Sequence, residues 1–221
     1  MKPSQAKEAI STVVEAKISA FIWGDSGIGK SEVVEQVAAE SKLEFRDVRL
    51  NLMDPTDLKG FPVPDLKKGI MRWLIADFLP QDPKSKGILF LDEMNLATPA
   101  VMAAAYQLVL NRSIGEYVMP DGWAVLAAGN GDKVRANISR MPAPLSNRFT
   151  HIDFDLDQDD FINYQMGAGM LPDQVAFHRF RPSLLHVFKA EENPRAFPTP
   201  RAWSTVNKLR NTKMARGLST S

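Results

Sequence analysis

A chain of 221 residues with 44% hydrophobic and 24% charged positions can bury a full domain core and is not composed like a disordered segment. Its 27 basic and 26 acidic side chains leave a formal charge of +1, so no global field draws it to nucleic acid or to an anionic membrane, although a local patch stays open. The absence of cysteine excludes disulfides, thiol nucleophiles and thiolate metal sites; with no apolar signal core at the N-terminus and no membrane-length apolar run, the expectation is a soluble, cytoplasmic protein.

In chain order, Ala6, Ile10, Val13 and Val14 recur at helical spacing and predict a first amphipathic helix. Ala20, Phe21, Ile22 and Trp23 form an apolar run with strand character. It leads into a glycine-rich segment and then Val33, Val34, Val37 and Ala38, again at helical spacing. A second strand is expected over Phe45 to Leu50. Residues 51–86 carry Pro55, Gly60, Pro62, Pro64, Gly69, Pro80 and Pro83, which predict loops, a hairpin and little regular helix. Ile88 to Leu91 is a short, wholly apolar strand, and Thr98-Pro99 reads as an N-cap with proline in the first turn of a helix reaching about Leu110. Tyr117 to Met119, Pro120-Asp121-Gly122 and Trp123 to Ala127 predict a hairpin whose second arm is a buried strand. Ile152 and Phe154 mark a last strand. Residues 158–216 then look helical, with breaks near Pro172, Pro182 and Asn193 to Pro200. Strands alternating with helices predict an α/β core with a mainly parallel sheet over residues 1–155, followed by a small helical unit over 156–221.

The glycine-rich segment holds the most chemistry. Gly24-Asp25-Ser26-Gly27-Ile28-Gly29-Lys30-Ser31 matches every fixed position of a phosphate loop, between a strand and a helix as that motif requires. There, backbone N–H groups wrap phosphate oxygens at a helix N-terminus, Lys30 reaches the β- and γ-phosphates, and the Ser31 hydroxyl ligates Mg²⁺. Asp92 and Glu93 follow the buried strand at the end where open α/β sheets bind ligands. Asp92 suits the Mg²⁺ shell and Glu93 can polarise a water for in-line attack. The same residues would serve GTP as well as ATP, since a phosphate loop reads phosphates. Asn130, Arg148 and Arg201 would each pass for an ordinary turn or surface residue; their order behind the two motifs raises them.

With these residues in place the chain resembles the AAA+ ATPases, and within them the MoxR-like group, across essentially its whole length. The resemblance rests on the phosphate loop, Leu91-Asp92-Glu93-Met94-Asn95, Gly129-Asn130, Asn147-Arg148-Phe149 and Pro200-Arg201. It implies a P-loop NTPase fold with a five-stranded parallel sheet sandwiched by helices and a small helical lid, ATP and Mg²⁺ as cofactors, and ring assembly, commonly hexameric. By the same resemblance Asn130 corresponds to sensor 1, Arg148 to the arginine finger and Arg201 to sensor 2. Asp57 to Gly60 with Gly69 to Trp73 resembles an insert in the family's second helix, and Ser113 to Trp123 the hairpin before sensor 1. Beyond Arg201 there is chain for one helix and an Arg216 to Ser221 tail, shorter than related lids. The sequence holds no von Willebrand factor A module, a frequent separate partner of MoxR-like proteins. The implied function is remodelling of a protein partner; the alternatives are a DNA-directed AAA+ ATPase such as a helicase loader and a nucleotide-gated assembly scaffold.

Other candidates are weaker. Asp153, Asp155, Asp157, Asp159 and Asp160 lack the glycine and final glutamate of a calcium loop and read as a strand end before an acidic helix start. His151, His178 and His186 lack metal-ligand spacing. Lys208, Arg210, Lys213 and Arg216 read as a solvated helix face.

Overall fold

The computed structural model describes residues 1–131, 141–187 and 196–212. Five parallel strands form the central sheet: β1 (Ala20–Trp23), β2 (Glu44–Arg49), β5 (Gly87–Asp92), β8 (Trp123–Gly129) and β9 (Thr150–Asp153), in the spatial order β2-β5-β8-β1-β9. Side chains alternate between the faces of a strand, and here that alternation sorts the core into two layers. Ile22, Ile88, Phe90, Leu126 and Ile152 pack toward α1 (Pro3–Glu15) and α2 (Lys30–Glu40). Phe21, Leu89, Leu91, Val125 and Ala127 pack on the other side, toward α3 (Pro55–Lys59) and α4 (Pro99–Asn111). This is the expected sandwich. Its central strands, covered on both faces, are apolar at nearly every position.

The helical spacing of the first segment is matched closely: α1 buries Ala6, Ile10, Val13 and Val14. Thr98 caps α4, its hydroxyl accepting from the Val101 N–H at 3.4 Å. Strand β2 ends at Arg49, one residue short of expectation, because Leu50 turns into a 3₁₀ segment while its side chain stays in the core. A hairpin does occupy the broken region, as β3 (Phe61–Asp65) and β4 (Ile70–Leu74), with α3 as a one-turn helix before it.

One expected pairing is corrected. Tyr117-Val118 (β7) turns back onto Ser113-Ile114 (β6) and does not pair with the strand beginning at Trp123. Residues 123–129 are buried throughout, so both their sheet edges and both faces must be filled; β8 therefore runs parallel between β5 and β1. The Pro120 to Gly122 turn delivers the chain into the sheet, where the Gly122 carbonyl accepts from Gly87 N–H at 3.2 Å.

A four-residue helix, α5 (Ala143–Ser146), precedes β9. After β9, α6 (Gln158–Gly167), α7 (Pro172–Phe180), a 3₁₀ turn at Pro182–Leu184 and α8 (Pro200–Arg210) gather around Phe161, Ile162, Met170 and Leu185. The acidic run is a helix start: Asp157 caps α6, accepting from Asp160 N–H at 2.9 Å. Lys213 and Arg216 of the basic face, the tail beyond them and residues 193–195 of the expected break lie outside the described residues. Among the described residues no helix is long and apolar enough to cross a membrane.

Candidate nucleotide site

Strand β1 lies in the interior of the sheet, so the chain leaving Trp23 must turn at the sheet's carboxyl edge before α2 begins. Gly27 (φ 76°) and Gly29 (φ 106°) take backbone conformations that side chains strongly disfavour, and these curl residues 24–29 into a loop capped on α2. The eleven-residue α2 follows directly, with its N-terminal N–H groups at the loop. Lys30 is 8% exposed, and its ammonium donates to the carbonyls of Gly24 (2.8 Å) and Asp25 (2.9 Å). Burial lowers its pKa to about 8, against the opposing pull of Asp92 and Asp25; the positive charge of Arg201 lowers it further. That places Arg201, from the start of α8, within electrostatic range of the loop lysine.

Strand β5 brings Asp92 to the same edge. Its carboxylate accepts from the Ser31 hydroxyl at 3.0 Å and from the Glu93 N–H at 2.8 Å. A hydroxyl and a carboxylate held together in this way are hard oxygen donors suited to Mg²⁺, which keeps most of its waters and takes one or two protein ligands. Beside them the Asp47 carboxyl on β2 is pushed above its ordinary range, first by burial and then by the Asp92 charge. Glu93 leaves the strand in the left-handed region (φ 54°, ψ 33°), an uncommon conformation for a non-glycine residue.

The adjacent strand β8 ends with Gly129, whose carbonyl accepts from Gly24 N–H at 3.3 Å, so Asn130 stands next to the loop's entrance. A cleft of about 400 Å³ opens between the loop, the edge of β2 and the C-terminal helices, with Ile28, Ser31, Asp47, Phe161 and Arg201 among its lining. Gly24, Asp25, Ser26, Gly27, Ile28, Gly29, Lys30, Ser31, Asp92, Glu93, Asn130 and Arg201 thus share one region. Arg148 does not. It is exposed, in the turn after α5, and the parallel register sets Ala20 opposite Thr150 and Trp23 opposite Asp153. Arg148 therefore sits beyond the amino end of β9, at least ~10 Å along the strand axis from the edge that carries the loop.

Two contacts in this region have no clear signature in the sequence. Thr199 packs against Gly27, where an added Cβ would lie 3.2 Å from the threonine side chain, and Arg201 N–H donates to the Gly27 carbonyl at 3.2 Å. The C-terminal helices thus touch the loop backbone directly. Asn95 is 1% exposed and bonds the backbone of Asn130 through both atoms of its amide. Its place at the end of the Leu91 to Asn95 motif and its polarity between Met94 and Leu96 mark it in the sequence, but neither points to Asn130. The histidines have local roles: His151 accepts from Trp23 Nε1 at 2.8 Å, and His178 is enclosed by aromatic rings.

No family model matches this sequence. It is 28% identical over 144 residues to midasin of Giardia intestinalis, an alignment covering 62% of this chain and 3% of midasin. Among solved structures, it is similar to a candidate ATPase of Cytophaga hutchinsonii, with a TM-score of 0.57, 16% identity, and coverage of 86% of this chain and 60% of that one. NtrX of Brucella abortus, solved in complex with ADP, follows with a TM-score of 0.51, 18% identity, and coverage of 78% and 43%. The chain thus spans less than two thirds of each of these relatives. The shared architecture is the AAA+ P-loop NTPase fold: a five-stranded parallel sheet with flanking helices.

Proposed function

We propose that this chain is a Mg²⁺-dependent ATPase of the MoxR-like AAA+ kind, which hydrolyses ATP as part of an oligomeric ring, most simply a hexamer, and so remodels or activates a protein partner. The observation that carries the reading is the Ser31 hydroxyl 3.0 Å from the Asp92 carboxylate, beside a buried Lys30 and immediately before Glu93. Residues 1–155 form the nucleotide-binding unit and the helices from 156 onward its lid. Gly24 to Gly29 offer N–H groups to phosphate oxygens, and Lys30 neutralises the β- and γ-phosphates. Ser31 and Asp92 would hold Mg²⁺, which would offset charge on the phosphates and orient them. Glu93 accepts the proton of an attacking water as its oxygen bonds to the γ-phosphorus and the bond to the β-phosphate oxygen breaks. Asn130 orients that water. Arg201 contacts the γ-phosphate from the lid, and Arg148 enters a neighbouring subunit's site.

A protein partner is favoured by the surface of the β3–β4 hairpin, where Phe61 (68% exposed), Ile70, Met71 and Leu74 stand in solvent. These apolar side chains are contacts for a protein partner; the hairpin's exposed cations, Lys67, Lys68 and an Arg72 paired with Asp65 at 3.4 Å, make the weaker case for a phosphate backbone. The 28% identity with midasin and the NtrX structure with ADP add support at a distance. Ring formation is the property the fold needs for Arg148 to act.

The decisive experiment is phosphate release by the wild-type chain and by Glu93→Gln. The glutamine variant should bind Mg-ATP with near-normal affinity and lose turnover by about 10²-fold or more, because an amide keeps the shape and cannot take the proton. Lys30→Ala should weaken binding itself. Undiminished hydrolysis by Glu93→Gln would remove Glu93 from the reaction.

A further inference from the structure

The turn after Glu93 contains a side chain whose only described hydrogen bonds go to the residue expected to orient the lytic water. Asn95 lies in the 3₁₀ segment Met94–Leu96, closed by the Leu96 N–H donating to Glu93 O at 3.0 Å. Its Nδ2 donates to the Asn130 carbonyl at 2.8 Å, and its Oδ1 accepts from the Asn130 N–H at 3.1 Å. Exchange of both bonds with a single residue is what an antiparallel neighbour provides, and here the amide supplies it beside a parallel pair. The register of β5 with β8 ends at Leu91 and Ala127, and the Asn95 amide takes over beyond it.

The fit is tight on the opposite side. A Cβ on Gly129 would lie 2.4 Å from Asn95 Oδ1, 2.7 Å from its Cγ and 2.8 Å from Phe21 Cζ, so residue 129 must lack a side chain for the amide to reach residue 130. The Gly129 carbonyl in turn accepts from Gly24 N–H. One buried amide therefore ties the Glu93 turn, the Asn130 backbone and the entrance of the phosphate loop into a single unit.

We propose that Asn95 is the positioning residue of Asn130, fixing the backbone from which the Asn130 side chain meets the attacking water relative to Glu93. This inference rests on the hydrolytic reading above. Displacing a group that orients a reactant costs rate with little loss of ground-state binding. An apolar side chain would also leave the two Asn130 backbone groups without these partners.

The test is a double-mutant cycle on phosphate release, with thermal melting to verify folding. In Asn95→Asp the carboxylate keeps the acceptor for Asn130 N–H and loses the donor to Asn130 O. We expect kcat to fall by about 10- to 100-fold with KM changed less than about threefold. Lowering the pH should return part of the loss relative to wild type at the same pH, since the protonated acid regains an O–H donor of the same shape. In an Asn130→Ala background there is no side chain left to position, so Asn95→Asp should cause no further loss of kcat. Gly129→Ala, which pushes on the same amide from the other side, should behave as Asn95→Asp does in both backgrounds and serves if the aspartate variant does not fold. Independent, multiplicative losses at Asn95 and Asn130, or a loss confined to KM, would overturn the inference while leaving hydrolysis by Glu93 intact. Absence of turnover in the wild type, or full turnover in Glu93→Gln, would instead overturn the hydrolytic reading and this inference together.

Discussion

Lys30 shows how a single residue can be tuned by its burial. Its ammonium has two carbonyl partners and nearby carboxylates, yet desolvation outweighs them and the pKa falls from 10.5 to about 8. Phosphate oxygens would favour the charged form, so nucleotide binding should draw a proton onto Lys30 wherever the free site has lost it. Affinity for Mg-ATP should consequently weaken as pH rises above about 8, approaching tenfold per unit, and titration calorimetry in buffers of different ionisation enthalpy should register proton uptake. Flat affinity between about pH 7 and 9.5 would contradict this. The same shift has the opposite sign for folding. Between about 8 and 10.5 the unfolded chain binds more protons at this lysine than the folded one, so this residue makes the nucleotide-free fold relatively more stable as pH rises through that window.

At the scale of an element, α7 depends on an uncharged histidine. His178 is wholly buried, edge-on to Trp203 at 4.7 Å and to Phe161 at 5.4 Å, and neither ring nitrogen has a hydrogen-bond partner among the described residues. Burial lowers its pKa below 6.5, so below that value the unfolded chain takes up the proton more readily than the folded one. Acidification should therefore loosen the C-terminal helices before the sheet. Hydrogen exchange corrected for intrinsic rates should show α7 losing protection as pH falls below about 6.5, and His178→Phe should suppress that loss. Equal pH sensitivity in the phenylalanine variant would trace the effect to another group.

At the scale of the whole molecule, the register of β1 with β9 holds Arg148 and the phosphate loop at opposite ends of the sheet, so the role proposed for Arg148 requires a second subunit. Its anchorage suits a group offered to a neighbour, since Phe149 is buried edge-on against Phe21 at 5.5 Å while Arg148 beside it stays in solvent. Charge stabilisation supplied in trans is worth roughly 10³-fold or more in phosphoryl transfer. Activity per subunit should rise with protein concentration. Mixing Arg148→Ala with Lys30→Ala should restore turnover that neither variant shows alone, because mixed interfaces pair an intact loop with an intact arginine. Co-assembly verified by sedimentation, with no recovered activity, would end the trans assignment.

What the sequence determined by itself is local in character. The phosphate loop was legible because its glycines, lysine and serine are contiguous and each answers a backbone or ligand requirement a few residues away; the apolar strands and the spacing in α1 and α2 were legible because burial imposes a period on neighbouring residues. Tertiary structure decided whatever depends on pairing between distant segments. Trp123 to Ala127 reads as the return arm of a hairpin until the sheet needs a strand between β5 and β1. Asn95 and Gly129-Asn130 belong to two separate motifs in the sequence, and their contact emerges only where parallel strands end side by side. Thr199 and Arg201 reach the loop only because α8 folds back onto it across more than 160 residues of chain, a contact set by packing of the C-terminal helices and by no periodicity in the sequence.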